Sequence, residues 1–446
     1  MNFSLVKVLL NIIICLLSYL LYDFIKKNRN DWELVSPLDF KKYTNNVSTN
    51  EMLYNISKVI EKNERLNHTL DSLRKTLFFK IFKLNLEPDC NIFKQEQICR
   101  SASCYICSCE NNEIPDIWRQ PEHGGEPIDS KIDDPFLKWT DKFTLSSKQW
   151  LLEKDIDSKE GTFVNLLKNP EGYTGYRGPH IWDAIFRENC FSDRFMNLCK
   201  EDKTFYRIFS GWLSNTNMQI GINFHNKETN KTYLNVSMIT SRLLNSKERV
   251  DNLFFLYSLM IKAFKKAEPL LIEYDYHSGN KEEDEKTLAL LNELFNSEGE
   301  EINYLSEAFN ETTADFEYFM HSNKINELVS RFRNISSIID CVSCSKCRMH
   351  AKLEVFGMAT MLKIMFSNNY ELKESLLRNE LVSFVNLFAK LSKTISYIKY
   401  INDTINYSHH MLLMKYLCIA VTSFICLLFV NCYNTKKQKV DNKKQQ

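Results

Sequence analysis

Several things are scarce in this chain of 446 residues, and each scarcity narrows what it can be. There is almost no net charge, 57 Lys and Arg against 56 Asp and Glu, so bulk electrostatics give no reason to expect a nucleic-acid partner. Glycine and proline are few, 11 and 9. A turn-rich β protein needs more of both, and abundant Phe, Leu and Ile point instead to long helices. No internal repeat stands out and no linker divides the central region, so the expectation is one mainly α-helical domain. Its length leaves ample chain for a core.

The ends carry what the middle lacks, long apolar runs. Residues 5–22 form an apolar stretch behind Lys7, read as a secretory signal or uncleaved signal-anchor within residues 1–24. No small-x-small cleavage site is evident, and Lys26, Lys27 and Arg29 follow. Residues 416–433 supply about one membrane's worth of apolar helix. The basic tail over 434–446 follows, which the positive-inside tendency places in the cytosol. It ends Lys443-Lys444-Gln445-Gln446, which resembles the dilysine retrieval signal of endoplasmic reticulum membrane proteins. The body, residues 47–408, is then expected in the lumen. Nine N-x-S/T sequons between the two apolar runs, at Asn46, Asn55, Asn67, Asn230, Asn235, Asn310, Asn334, Asn402 and Asn406, are compatible with that placement.

Fourteen cysteines are present. Cys15, Cys418, Cys426 and Cys432 lie in or beside the apolar runs and are read as packing residues. The other ten are Cys90, Cys99, Cys104, Cys107, Cys109, Cys190, Cys199, Cys341, Cys344 and Cys347. They allow five disulfides, without fixing who pairs with whom. Cys341, Cys344 and Cys347 follow a C-x2-C-x2-C spacing that runs into an apolar helix over 344–366. Two cysteines three apart at a helix start face one side, and the helix N-terminus with Lys346 and Arg348 favours a thiolate. Cys99 and Cys104 form a wider pair in a polar, breaker-rich stretch from Pro88 to Pro127, read as a loop. Two pairs of different stiffness suggest a relay, the loop pair meeting substrates and the helical pair lying inside. Metal chemistry is the competing reading. Cys99, Cys104 and Cys107 match the spacing of plant-type iron–sulfur ferredoxins, and Cys104/Cys107 with Cys344/Cys347 could ligate zinc. A lumenal location counts against both, and disulfide stapling alone is the plainer alternative.

Apolar periodicity predicts helices over 47–85, over Arg249 to Ala267 with Val250, Leu253, Tyr257, Met260, Ile261 and Phe264 on one face, and over 370–400. The run Lys281 to Lys286 reads as a solvated helix start. A Gly- and aromatic-rich run, Asn169 to Trp182, leads into a helix ending at Cys190.

Three blocks give the chain a family resemblance over roughly residues 75–400. Cys90 followed by Cys99-x4-Cys104 is the first. Asn169-Pro-Glu-x-Tyr-Thr-Gly-Tyr-x-Gly-Pro, continuing through Ile181-Trp182 to Cys190-Phe191, is the second. Asn334-Ile-Ser-x-Ile-x-Asp-Cys341-Val-x-Cys344-x-Lys-Cys347-Arg is the third. Together they resemble the endoplasmic reticulum oxidoreductins, flavin-dependent sulfhydryl oxidases that reoxidise protein disulfide isomerase. The resemblance implies that Cys344 and Cys347 are the active-site disulfide beside FAD and that Cys99 and Cys104 are the shuttle pair. It pairs Cys90 with Cys341 and Cys190 with Cys199. It places Thr174, Trp182, Ser210 and Arg249 against the cofactor, with dioxygen as acceptor and hydrogen peroxide as product. Three positions depart from the family: Gly172 and Lys262 stand where arginines are expected, and Leu213 where a histidine is. Lys262 keeps a charge without the bidentate fork; Gly172 and Leu213 supply no polar contact. No cysteine falls within 110–189, so regulatory disulfides that some relatives form through that region are absent. Cys107 and Cys109 are left to pair with each other or with a shuttle cysteine. Two other functions stay open on sequence: a flavin-free thiol exchanger or isomerase-binding protein, and a non-enzymatic, disulfide-stapled membrane glycoprotein.

Overall fold

The computed structural model describes residues 49–85, 90, 104–119, 161–171, 179–190, 200–226, 229, 231–297, 299–308, 325–366 and 376–444. The chain divides into two units, Phe40–Ser396 and a second formed by Met1–Asp39 with Tyr397–Gln446. The signal-like segment, Cys99, Cys199, Gly172 and Thr174 lie outside the described residues.

Helix α1 spans Thr49–Leu73, and its buried Val59, Leu66, Leu70 and Leu73 recur at helical spacing. The helical reading over 47–85 fails after Thr76. A single turn, Leu77–Lys80, leads into strand β1, Ile81–Leu84, which pairs antiparallel with β2, Thr162–Asn165. The reason is tertiary: Ile81, Phe82 and Leu84 are buried in the paired strand, with buried Asn165 and Val164 across from Ile81 and Phe82, which a four-residue apolar run cannot signal by itself. Ser108 bridges to Val164, and the Cys109 amide donates to Phe163 at 2.9 Å, so part of the predicted loop lies along this small sheet.

Helices α2 (Pro179–Cys190) and α3 (Lys200–Ile222) follow, then a hairpin of β3 (Phe224–Asn226) and β4 (Lys231–Tyr233). Helix α4 spans Lys247–Lys266, with Glu248 in its first turn and Lys265 and Lys266 in its last, the arrangement that suits the macrodipole. The predicted face of α4 is buried, but so are Phe254, Phe255, Leu256 and Leu259, so it is a core helix rather than an amphipathic one. Helix α5, Lys281–Asn292, opens on an Asn280 cap that accepts from the Glu283 amide, with Glu282, Glu283 and Asp284 in the first turn. Next come α6 (Gly299–Ala308), α7 (Ile325–Asp340), α8 (Ser345–Phe366) and α9 (Arg378–Lys444).

Two helices organise the Phe40–Ser396 unit. Helix α4 packs on α3, α6 and α8, while α7 packs on α2 and α8. From Cys347 to Ile364 every residue of α8 is buried. Gly357 lets α9 come close: a Cβ there would meet Leu387 Cβ and the Ser383 carbonyl oxygen, each at 2.7 Å. Phe264 stacks on Phe295 and meets Phe388, with centroids 5.0 and 4.8 Å away. Such rings each contribute about 1.5–3 kcal/mol by burial. In the other unit, His410–Lys436 is long and apolar enough to cross a membrane, and it contains the predicted 416–433 segment. It is the one such helix among the described residues.

Candidate redox site

Helix α8 begins where the cysteine motif ends. Cys344 occupies the residue before its first turn, and its sulfur accepts from the Cys347 amide at 3.2 Å. Cys344 and Cys347 are bonded to each other, with Cα atoms 5.2 Å apart, and both are buried, 2% and 5% exposed. The exposed helix amides at this end point their partial positive charge at the two sulfurs. One residue before the pair's loop, Cys341 is bonded to Cys90 across 251 residues of chain, with Cα atoms 4.6 Å apart. Around this junction Lys352 of α8 holds Asp340, the last residue of α7, at 2.6 Å, and the Arg348 guanidinium donates to the Val342 carbonyl at 3.0 Å. Those contacts fix the turn from α7 into α8 and hence the direction of the disulfide.

Cys104 is disulfide-bonded and, against the expectation of an exposed loop pair, buried at 2% exposure. Its expected partner Cys99 is outside the described residues. Cys107 and Cys109, left open by the sequence, are both free thiols, the first exposed and the second half-buried. Burial, then the Glu113 carboxylate, push the Cys109 thiol up to about 11. Cys190 closes α2, and its expected partner Cys199 is not described.

The expected cofactor residues fall on three neighbouring helices. Trp182 of α2 is buried, and its ring lies 4.7 Å from that of Trp212 on α3. The Trp212 indole N–H is held by the Glu354 carboxylate of α8, which fixes the pair's orientation. Two residues before Trp212, Ser210 is buried, its hydroxyl accepting from the Asn252 side chain of α4 at 3.0 Å. Arg249 of α4 is exposed and donates to the Arg242 carbonyl. Lys262 is half-buried on the same helix, 13 residues on and therefore about 20 Å along its axis. Tyr206, beside Ser210, has its hydroxyl pushed up to about 12 by burial and then by Glu248. A fixed aromatic wall, hydroxyls and two separated cations suit a long ligand with a planar ring and an anionic middle, so these residues fit FAD. Leu213 is half-buried beside Trp212 and offers no polar contact, as its sequence implied.

Below the disulfide lies a group of residues that spacing did not reveal. His350, one turn after Cys347, donates from Nε2 to the Asn169 carbonyl at 2.8 Å. Its Nδ1 is 3.4 Å from the Lys390 ammonium. A carbonyl only accepts and an ammonium only donates, so His350 is held as the neutral ring with its proton on Nε2. Lys390 of α9 also meets Glu354 at 2.8 Å and Glu171 at 2.6 Å. Burial alone would lower its pKa, but the two carboxylates outweigh that and raise it, so the ammonium stays charged. Only His350 and Glu354 carried a sequence signal, standing three and seven residues after Cys347 on one helix face. Glu171 and Lys390 reach them only through the fold.

A helical body with a solvent-shielded C-x2-C disulfide on its central helix, tethered by a second disulfide, defines a disulfide-carrying oxidoreductase. The chain belongs to the endoplasmic reticulum oxidoreductin 1 family, whose model matches residues 65–398. It is 34% identical over 354 residues to endoplasmic reticulum oxidoreductin-2 of Arabidopsis thaliana, covering 75% of this chain and 74% of that one. It is 29% identical over 416 residues to ERO1-like protein alpha of Homo sapiens, covering 78% and 88%. Among solved structures, a mutant of S. cerevisiae Ero1p shares the fold with a TM-score of 0.56 at 24% identity, over 80% of this chain and 99% of that one. Another structure, at TM-score 0.54, is of Ero1p described as the source of disulfide bonds for oxidative protein folding in the cell.

Proposed function

We propose that this protein is an FAD-dependent thiol oxidase of the endoplasmic reticulum lumen that reoxidises protein disulfide isomerase and so supports oxidative folding. The observation that carries the reading is the buried Cys344–Cys347 disulfide at the N-terminus of α8, aimed by its surroundings and shielded from bulk thiols. Family membership supports the rest. Reduced isomerase exchanges with the Cys99–Cys104 disulfide and leaves two thiols there. One of those thiolates attacks a sulfur of Cys344–Cys347, the other sulfur leaves as a thiolate, and the second shuttle thiol resolves the mixed disulfide. The shuttle is reoxidised and the electron pair rests on Cys344 and Cys347, whose thiolate is favoured by the helix N-terminus.

FAD, when bound, supplies an acceptor for that electron pair and a route to dioxygen, with hydrogen peroxide as product. Trp182 would cover its ring, Ser210 and Thr174 would bond its polar edge, Arg249 would neutralise its phosphates, and Lys262 would offer a second cation farther along α4. Cys90–Cys341 and Cys190–Cys199 would be structural. The C-terminal apolar helix would anchor the body to the membrane with the basic tail in the cytosol. A second reading, a flavin-free thiol exchanger, draws support from Leu213, which gives the cofactor region one polar contact fewer. Oxygen uptake in the presence of reduced isomerase separates the two. It proceeds in the wild type and stops in Cys344→Ala and Cys347→Ala if the oxidase reading holds. Uptake that persists in both variants, or is absent from the wild type, overturns it.

A further inference from the structure

Asn169 is completely buried and every polar atom of its side chain is used. Its Oδ1 accepts from the Cys107 amide at 2.8 Å, and its Nδ2 donates to the Cys107 carbonyl at 2.8 Å and to the Asn165 carbonyl at 3.0 Å. The two bonds to Cys107 copy the pairing of a neighbouring strand, so one side chain grips one residue of backbone from both sides. The Asn169 carbonyl in turn accepts from His350, one turn below Cys347. Glu171, two residues on, is held by Lys390, which also faces His350. The segment 169–171 is thus pinned to the disulfide helix at one side and grips the chain three residues after Cys104 at the other.

We propose that Asn169 is a positioning residue for electron transfer between the two disulfides: it docks the Cys104 loop on the Cys344–Cys347 helix through His350. This deepens the functional reading above and rests on it. The step it serves is the thiol–disulfide exchange already balanced, in which two electrons pass from the Cys99/Cys104 thiols to Cys344–Cys347 and no outside reactant is consumed. Exchange requires three sulfurs nearly in line, so a loop free to wander by about an ångström loses rate by about tenfold or more. Entry of electrons from the isomerase needs only attack on the Cys99–Cys104 disulfide and does not depend on the grip.

The test follows both pairs in the full chain. The oxidised protein is mixed without oxygen with reduced protein disulfide isomerase and quenched in acid. Alkylated peptides then report each cysteine pair by mass. In Asn169→Ala, reduction of Cys99–Cys104 keeps its wild-type rate while reduction of Cys344–Cys347 slows by about tenfold or more. His350→Leu, which removes the donor to the Asn169 carbonyl and leaves the grip on Cys107, gives the same split and carries the test if Asn169→Ala does not fold. His350→Gln, whose amide N–H reaches the same carbonyl, restores the rate. Wild-type rates for both pairs in a folded variant, or equal slowing of both, overturn the proposal. Amide hydrogen exchange over residues 105–109 tests the grip without reference to electron flow: it quickens in Asn169→Ala, and unchanged protection overturns the grip. A wild-type chain whose Cys99–Cys104 pair is never reduced counts against the functional reading, and the exchange measurement still decides the grip.

Discussion

Replacing Lys390 by methionine keeps most of the side-chain volume and removes the ammonium that faces both Glu171 and Glu354 at 2.6 and 2.8 Å. Glu354 is fully buried and keeps the Trp212 N–H, so the variant leaves it and Glu171 without the ammonium that stands between them. Breaking a buried pair in this way costs about 3–5 kcal/mol. For a body of this size about 2 °C accompanies each kcal/mol, so thermal melting falls by about 6–10 °C at neutral pH. The pH dependence has a definite sign. In the wild type the Lys390 pKa is raised on folding, so its contribution is complete below the ordinary lysine value and is lost only as pH climbs past the raised one. Adding Glu354→Gln to Lys390→Met recovers part of the loss, because the pair that remains carries less buried charge. Melting curves of the wild type and the two variants from mildly acidic to alkaline pH supply the data. A Lys390→Met protein within 1 °C of wild type throughout refutes the reasoning.

Gly357→Ala forces a methyl against Leu387 and the Ser383 carbonyl and destabilises the α8–α9 packing by about 1–3 kcal/mol, read by chemical denaturation. Converting Cys90 and Cys341 together to alanine frees a 251-residue loop in the unfolded chain and lowers stability by about 2–5 kcal/mol, while Cys344–Cys347 still forms, as peptide mapping will show. Cys107 is exposed, whereas the Cys109 thiol is pushed to about 11, so iodoacetamide at neutral pH labels Cys107 well before Cys109. Raising the pH toward 11 closes that gap, and equal labelling at neutral pH contradicts the assignment.

The parts legible in the sequence were those with local periodicity or spacing. The α4, α8 and α9 segments announced themselves by apolar density, and the start of α5 by the charged run Lys281 to Lys286, although its Asn280 cap was not read. The Cys90–Cys341 bond came from family resemblance, since spacing left the pairing open. Strand β1 was missed because Ile81-Phe82-Lys83-Leu84 is short enough to extend a helix, and only its partner 80 residues away decides otherwise. The amphipathic reading of α4 failed for a related reason: polar Asn252 and Ser258 are buried through bonds to Ser210 and the Phe255 carbonyl. The ion group around Lys390 was not visible as a group because its members come from three separate stretches, 169–171, α8 and α9, which only the fold brings together. Arg249, Ser210 and Trp182 were named through resemblance, and their approach on α2, α3 and α4 could not have been read from spacing.

The central claim, electron flow from thiols through a flavin, is met most directly by one spectrum. The purified full chain is taken anaerobically, its visible absorbance recorded, reduced protein disulfide isomerase added, and air admitted afterwards. The account predicts a yellow protein whose flavin band bleaches with the isomerase and returns with oxygen, and neither change in Cys344→Ala. A folded, colourless wild-type protein, or a band that bleaches equally in Cys344→Ala, would contradict it.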